Sequence, residues 1–63
     1  MRFRYSPQHM KPMLIIVDYK YYLINEEEIV AWAAKCTPGW KQTGMILEFK
    51  SDEDRIAFLL RWE

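Results

Sequence analysis

His9 and Cys36 are the only histidine and the only cysteine in the chain, and they are the one pair that could supply a base and a nucleophile. A thiolate activated by an imidazole attacks acyl groups, but such a thiol has to be accessible and in electropositive surroundings. Neither condition is expected at Cys36. It falls on the inner, apolar stripe of a predicted helix with Ile29 and Ala33, near the C-terminus, where the helix dipole opposes a thiolate. The same two residues would fill half of a tetrahedral zinc site, with no further ligand at motif spacing; no metal and no other cofactor is expected. The remaining acid–base candidates are Glu26-Glu27-Glu28 and Asp52-Glu53-Asp54. Each triplet stands at a predicted helix start, where carboxylates offset the partial positive charge of the first turn. No Gly-rich phosphate loop or nucleophile motif occurs either, so the expectation is a protein that is not an enzyme.

Two segments interleave cations with aromatic rings: Arg2-Phe3-Arg4-Tyr5 and Tyr19-Lys20-Tyr21-Tyr22. Phosphates are held by the first kind of side chain, and splayed bases stack on the second. Arg2, Arg4, Tyr5, Tyr19, Lys20, Tyr21 and Tyr22, with Trp40 in a predicted loop, are therefore the candidate contacts for a partner or a nucleic acid. The two segments become neighbours if the first two strands pair. Against a base-binding platform, strand alternation turns Arg2 and Arg4 away from Phe3 and Tyr5, the RNP pattern of RNA-recognition sheets is absent, and nine basic residues are cancelled by nine acidic ones.

Association with protein is the expectation the residues support best. In 63 residues and 7.7 kDa, folding buries only about 60% of the unfolded chain's surface. A lone cysteine rules out an internal disulfide, which leaves oligomerisation as the extra source of burial. Covering Met13 to Val17 on both faces together with Trp32, Trp40, Phe49, Phe58 and Trp62 is demanding for two short helices, and a homodimer is expected. With 51% hydrophobic and 16% aromatic residues the composition is that of a folding chain. No apolar run reaches the length of a membrane span and Met1 leads into alternating Arg and aromatic residues, unlike a signal peptide, so no membrane association and a cytoplasmic location are expected.

The elements that would position these residues follow from periodicity. Arg2 to Tyr5 alternates as a first strand, and Ser6 to Pro12, with two prolines, is a connection. Met13 to Val17 is a continuous aliphatic run, the pattern of a central strand. Alternation continues through Tyr21 before Tyr22, Leu23 and Ile24 lead into a helix capped by Asn25, with Glu28 completing a capping box and Ile24 packing on Ile29 as a staple. Pro38 ends that helix, and Pro38-Gly39 fits the centre of a type II turn. Trp40 to Gly44 is a loop, Met45 to Phe49 a third strand, and Ser51 caps a second helix whose core stripe is Ile56, Leu59 and Leu60, with Phe58 and Trp62 on an adjoining face. The expected fold is α+β, in the order β-β-α-β-α: a single domain with a three-stranded sheet packed by two helices. A second arrangement makes Tyr19 to Lys35 one long helix and leaves two good strands.

The stretch F-K-S-D-E-D-R-I-A-F-L-L-R-W, from Phe49 to Trp62, resembles the endings of small proteins of tailed phages, especially phages of marine cyanobacteria. In these a strand ending in Phe meets an acidic helix start and closes on Phe-x-Leu-Arg-Trp, here Phe58, Leu60, Arg61 and Trp62. The resemblance covers about a quarter of the chain, at capping and core positions. It implies a phage-encoded protein acting in the cytoplasm of an infected cell, with modulation of a host protein as the lead role; the alternative, single-stranded nucleic-acid binding, rests on the basic and aromatic N-terminal segments and not on the resemblance. It assigns no catalytic residue.

Overall fold

The computed structural model describes residues 1–5 and 11–63; His9 and most of the expected Ser6–Pro12 connection lie outside them. Four strands, β1 (Phe3–Tyr5), β2 (Met13–Ile16), β3 (Lys41–Thr43) and β4 (Ile46–Glu48), form one sheet with three helices, α1 (Tyr19–Ile24), α2 (Glu26–Cys36) and α3 (Asp52–Trp62). The sheet order is β1-β2-β4-β3, with antiparallel pairs throughout. The fold is α+β as expected, with one strand and one helix more than the β-β-α-β-α reading.

The aliphatic run does form the central strand. β2 lies between β1 and β4, with Leu14 opposite Tyr5 on one side and Leu47 on the other. The additional strand, β3, comes from the expected loop. Thr43 and Ile46 face each other across Gly44 and Met45, and Gly44 has φ +61°, the left-handed conformation that tight hairpin turns require of their first central residue. Lys41-Gln42-Thr43 carries no apolar alternation, and the hairpin, not its own pattern, recruits it. The Pro38-Gly39 turn forms as expected: the Trp40 N–H donates to Thr37 O at 3.2 Å, and Gly39 has φ +92°.

The expected extension of the second strand through Tyr21 is α1 instead. Asp18 is its cap, with Oδ1 accepting from the Tyr21 N–H at 3.0 Å; satisfying a free helix N–H in this way favours a turn over further pairing. Asn25 alone separates α1 from α2, so the one-helix alternative is broken there. Its side chain does not cap α2: Nδ2 donates backwards to Tyr21 O at 2.9 Å. Ile24, the last residue of α1, is 72% exposed, so the Ile24–Ile29 staple is not made. The Ser51 cap is formed, Oγ accepting from the Asp54 N–H at 3.3 Å.

All three helices cover one face of the sheet. The core joins Phe3, Leu14, Ile16 and Leu47 of the sheet layer to Tyr22 of α1, Ile29 of α2, and Phe58 and Trp62 of α3, with Phe49 between β4 and α3. Phe58 is its centre: its ring meets Phe3 edge-on at 5.0 Å, Trp32 at 5.9 Å and Phe49, tilted, at 5.3 Å, geometries that aromatic quadrupoles favour. The inner stripe of α3 is thus Arg55, Phe58 and Trp62, with Leu59 partly buried, whereas Ile56 and Leu60 of the expected stripe face outward. Aromatic size decides the helix's rotation, because turning Ile56 and Leu60 inward would expose both rings. Cys36 is likewise exposed; the buried place at the end of α2 belongs to Thr37, whose hydroxyl donates to Ala33 O at 3.0 Å.

The large aromatic side chains that prompted the expectation of a dimer are covered within one chain, Trp32 and Trp40 partly and the others fully. The accessible surface, 4338 Å², is close to the roughly 4,300 Å² of a folded monomer of this mass. The exposed apolar side chains include the aliphatic Val17, Leu23, Ile24, Ile56 and Leu60, with Tyr5 and Tyr19 the exposed aromatic ones among the described residues.

Candidate functional site

The face of the sheet turned away from the helices is the surface these elements leave open. Strand register puts Arg4, Ile15, Ile46 and Thr43 in one row across all four strands, and Met13, Glu48 and Lys41 in the row beside it. Met13 is buried and Ile15, Ile46 and Glu48 are half-buried, while Arg4, Lys41 and Thr43 are exposed. The Arg4 and Lys41 side chains have no hydrogen bond or ion pair among the described residues. Continued alternation brings Val17 beside Ile15. At the other end the ladder runs on past the strands, the Phe49 N–H donating to Pro12 O at 2.8 Å, which sets Lys11 and Lys50 opposite each other at the rim. The result is an aliphatic centre edged by Arg4, Lys11, Lys41 and Lys50, with Glu48 the one carboxylate among them.

The helical layer carries an acidic excess: Asp18, Glu26, Glu27, Glu28, Asp52, Glu53, Asp54 and Glu63 belong to the helices and their caps, against Lys20, Lys35, Arg55 and Arg61. The zero net charge of the chain therefore conceals a separation of sign between its two faces, which reaches further than the basic, aromatic N-terminal segment suggests.

The residues singled out from sequence do not form one surface. Arg4 alone of them lies on the open face. Tyr5 points to the helix side, its ring beneath the Arg55 guanidinium at 3.7 Å. Tyr22 is fully buried, its hydroxyl donating to Gln42 Oε1 at 2.9 Å. Burial, with Glu26 and Tyr19 nearby, raises its pKa above the usual 10.0. Tyr19 is exposed and stacks on Tyr22 with centroids 6.4 Å apart; Lys20 is exposed, and Trp40 is half-buried against the core.

The expected proximity of the two basic, aromatic segments is realised at Arg2 and Tyr21. The Arg2 guanidinium lies 4.2 Å from the Tyr21 ring centroid. Tyr21 is itself held, its hydroxyl donating to Trp62 O at 3.4 Å. Arg2 is committed as well: its Nη1 donates to Glu63 O at 2.9 Å, and the Glu63 carboxylate accepts from the backbone N–H groups of Arg2 and Phe3 at 3.1–3.3 Å. This corner is a clasp between the first strand and the end of α3.

Arg55 is the buried charge that the sequence reading missed. Its guanidinium donates twice to Asp52, Nε to Oδ1 at 2.8 Å and Nη2 to Oδ2 at 3.1 Å. These bonds hold the Asp52 carboxyl below its usual range and raise the Arg55 pKa. The spacing of three between Asp52 and Arg55 on a helix was its available signal. Among the described residues no cluster of His, Cys, Asp and Glu could hold a metal, no pocket opens, and no helix is long and apolar enough to cross a membrane.

Comparison of the chain with known protein families, with curated proteins and with solved structures finds no match. The molecule is defined by its own geometry, a four-stranded antiparallel sheet with three helices on one face and a basic, aliphatic surface on the other.

Proposed function

We propose that this chain is a non-enzymatic interaction protein that binds a partner protein through the open face of its sheet. One observation carries the reading: exposed cations edge the half-buried Ile15 and Ile46 on a face no helix covers. Such a surface suits an apolar segment with acidic flanks, since the aliphatic centre gains from burial and the rim selects by charge. The resemblance of the C-terminal stretch to tailed-phage proteins supports a phage setting and makes a host protein in the infected cell's cytoplasm the partner to be modulated.

Nucleic acid is the second reading, favoured by the four cations on one side of the sheet. The open face has no aromatic ring in its two rows, however, so it offers phosphate contacts without base stacking.

Affinity capture from infected-host lysate, with and without nuclease, tests both. The expected result is one stoichiometric host protein retained after nuclease by the wild type and lost by Arg4→Glu/Lys50→Glu. Equal recovery by the two would overturn the assignment of the face. Recovery abolished by nuclease, with oligonucleotide affinity falling steeply as salt rises, would put nucleic acid first.

A further inference from the structure

The open face and the outer stripe of α3 are complementary, and they lie on opposite sides of the same molecule. Along α3, Glu53, Ile56 and Leu60 fall on one line facing solvent, Ile56 46% and Leu60 85% exposed. Seven helical residues at 1.5 Å each separate Glu53 from Leu60, about 10 Å. Across the sheet, Arg4, Ile15 and Ile46 occupy three adjacent strands, and two strand spacings also span about 10 Å. An acid followed by two aliphatic residues on the helix thus matches a base followed by two aliphatic residues on the sheet, in the same order and at the same pitch.

We propose that the open face of one copy takes α3 of a second copy, Glu53 against Arg4 and Ile56 and Leu60 against Ile15 and Ile46. This deepens the reading of the open face as a binding surface and rests on it. Because the two surfaces face away from each other, neither can meet itself across a two-fold axis in this contact. Copies join head to tail, and each addition leaves a free sheet face at one end and a free α3 at the other. The separation of charge between the two faces favours the same alignment at longer range and makes it sensitive to salt.

Sedimentation of the full chain from micromolar to millimolar concentration tests the contact, with circular dichroism as the check that each variant is folded. The expected wild-type behaviour is a mass rising with concentration through successive additions and falling as salt is added. Arg4→Glu and Glu53→Arg should each weaken association about tenfold, and the double variant Arg4→Glu/Glu53→Arg, which exchanges the charges, should recover most of it. Arg4→Glu mixed with Leu60→Glu should stop at a 1:1 pair, since each supplies the surface the other lacks. A wild type monomeric to millimolar concentration, a double variant no better than the singles, or a two-fold dimer indifferent to Leu60→Glu would each overturn the proposal. The capture experiment is scored on a foreign protein, so failure of self-association and failure of the open-face reading remain distinguishable.

Discussion

The guanidinium of Arg55 is sandwiched between a carboxylate and an aromatic ring: Asp52 accepts two of its N–H groups, and the Tyr5 ring lies 3.7 Å from its central carbon. This ties the first turn of α3 to β1, the outer strand, through a charge that is only 7% exposed. Replacing Arg55 by Ala should lower stability by about 2 kcal/mol, through lost stacking and lost packing of the side-chain stem. A double-mutant cycle with Tyr5→Leu should return a coupling of about 1 kcal/mol. Denaturant unfolding of the four proteins measures both.

Asp52 gives the same link an acid limit. Its pKa is lowered on folding, chiefly by the hydrogen bonds from Arg55, so the native state holds its proton less tightly than the unfolded chain. The associated stability is present above the ordinary value of 3.8 and is lost as pH falls through the lower folded value. Asp52→Asn should flatten the dependence of the unfolding midpoint on pH below about 4.

Tyr22 sets the alkaline limit, with the opposite sign. Its pKa is raised by burial above 10.0, so the stability tied to its neutral hydroxyl is complete below that value and is lost as pH rises through the higher folded one. Tyr22→Phe should remove part of the alkaline fall in stability, while costing about 1 kcal/mol at neutral pH through the bond to Gln42. Ultraviolet titration of tyrosinate should show one of the four tyrosines ionising late in the wild type and absent from the variant.

Much of this fold is legible in the sequence, and the failures have identifiable causes. The aliphatic run of β2, the Ser51 cap and the Pro38-Gly39 turn are local signals that no tertiary contact opposes. β3 is illegible because an exposed edge strand gains its place from the hairpin and its partner, not from apolar alternation. At α1, alternating Tyr and Lys satisfies a strand pattern as well as a helical one, and the Asp18 cap decides between them. The open face is not legible in β2: a continuous aliphatic run predicts cover on both faces, whereas Ile15 is half-buried and Val17 exposed, and the meeting of Ile15 and Ile46 with Arg4 and Lys41 depends on a strand order that no local pattern specifies. Apolar periodicity puts Trp62 and Phe58 on the flank of α3, because volume, which sets the helix's rotation, does not appear in a count of apolar positions.

The two glycines should respond differently to substitution. At Gly39, with φ +92°, an added Cβ would meet Lys50 Cβ at an ordinary 3.5 Å, so Gly39→Ala should cost only the backbone strain, about 1–2 kcal/mol. At Gly44, with φ +61° and no heavy atom within 4 Å of an added Cβ, Gly44→Asn should be nearly neutral, because Asn tolerates this region. Thermal unfolding of the two variants measures the contrast.

Leu60 and Phe58 offer the sharpest separation of surface from core. Phe58→Ala should cost about 3–5 kcal/mol by opening a cavity at the centre of the aromatic cluster. Leu60→Gln should change stability by no more than about 0.5 kcal/mol. Chemical denaturation of both would fix the rotation of α3 directly.

The clasp at Glu63 spans almost the whole chain, joining it to backbone groups 60 and 61 residues earlier. Closing so long a loop costs roughly 3–4 kcal/mol in chain entropy before any constant term, more than one surface carboxylate returns. The clasp therefore cannot start folding; it can only latch a molecule whose hairpin and aromatic cluster have already brought the two segments together. β1 is then the last strand to dock and the first to open, and its amides should exchange with solvent ahead of those of β2 and β4. An opened β1 would leave the outer edge of β2 bare, turning the central strand of this sheet into a template for another chain until the carboxylate returns.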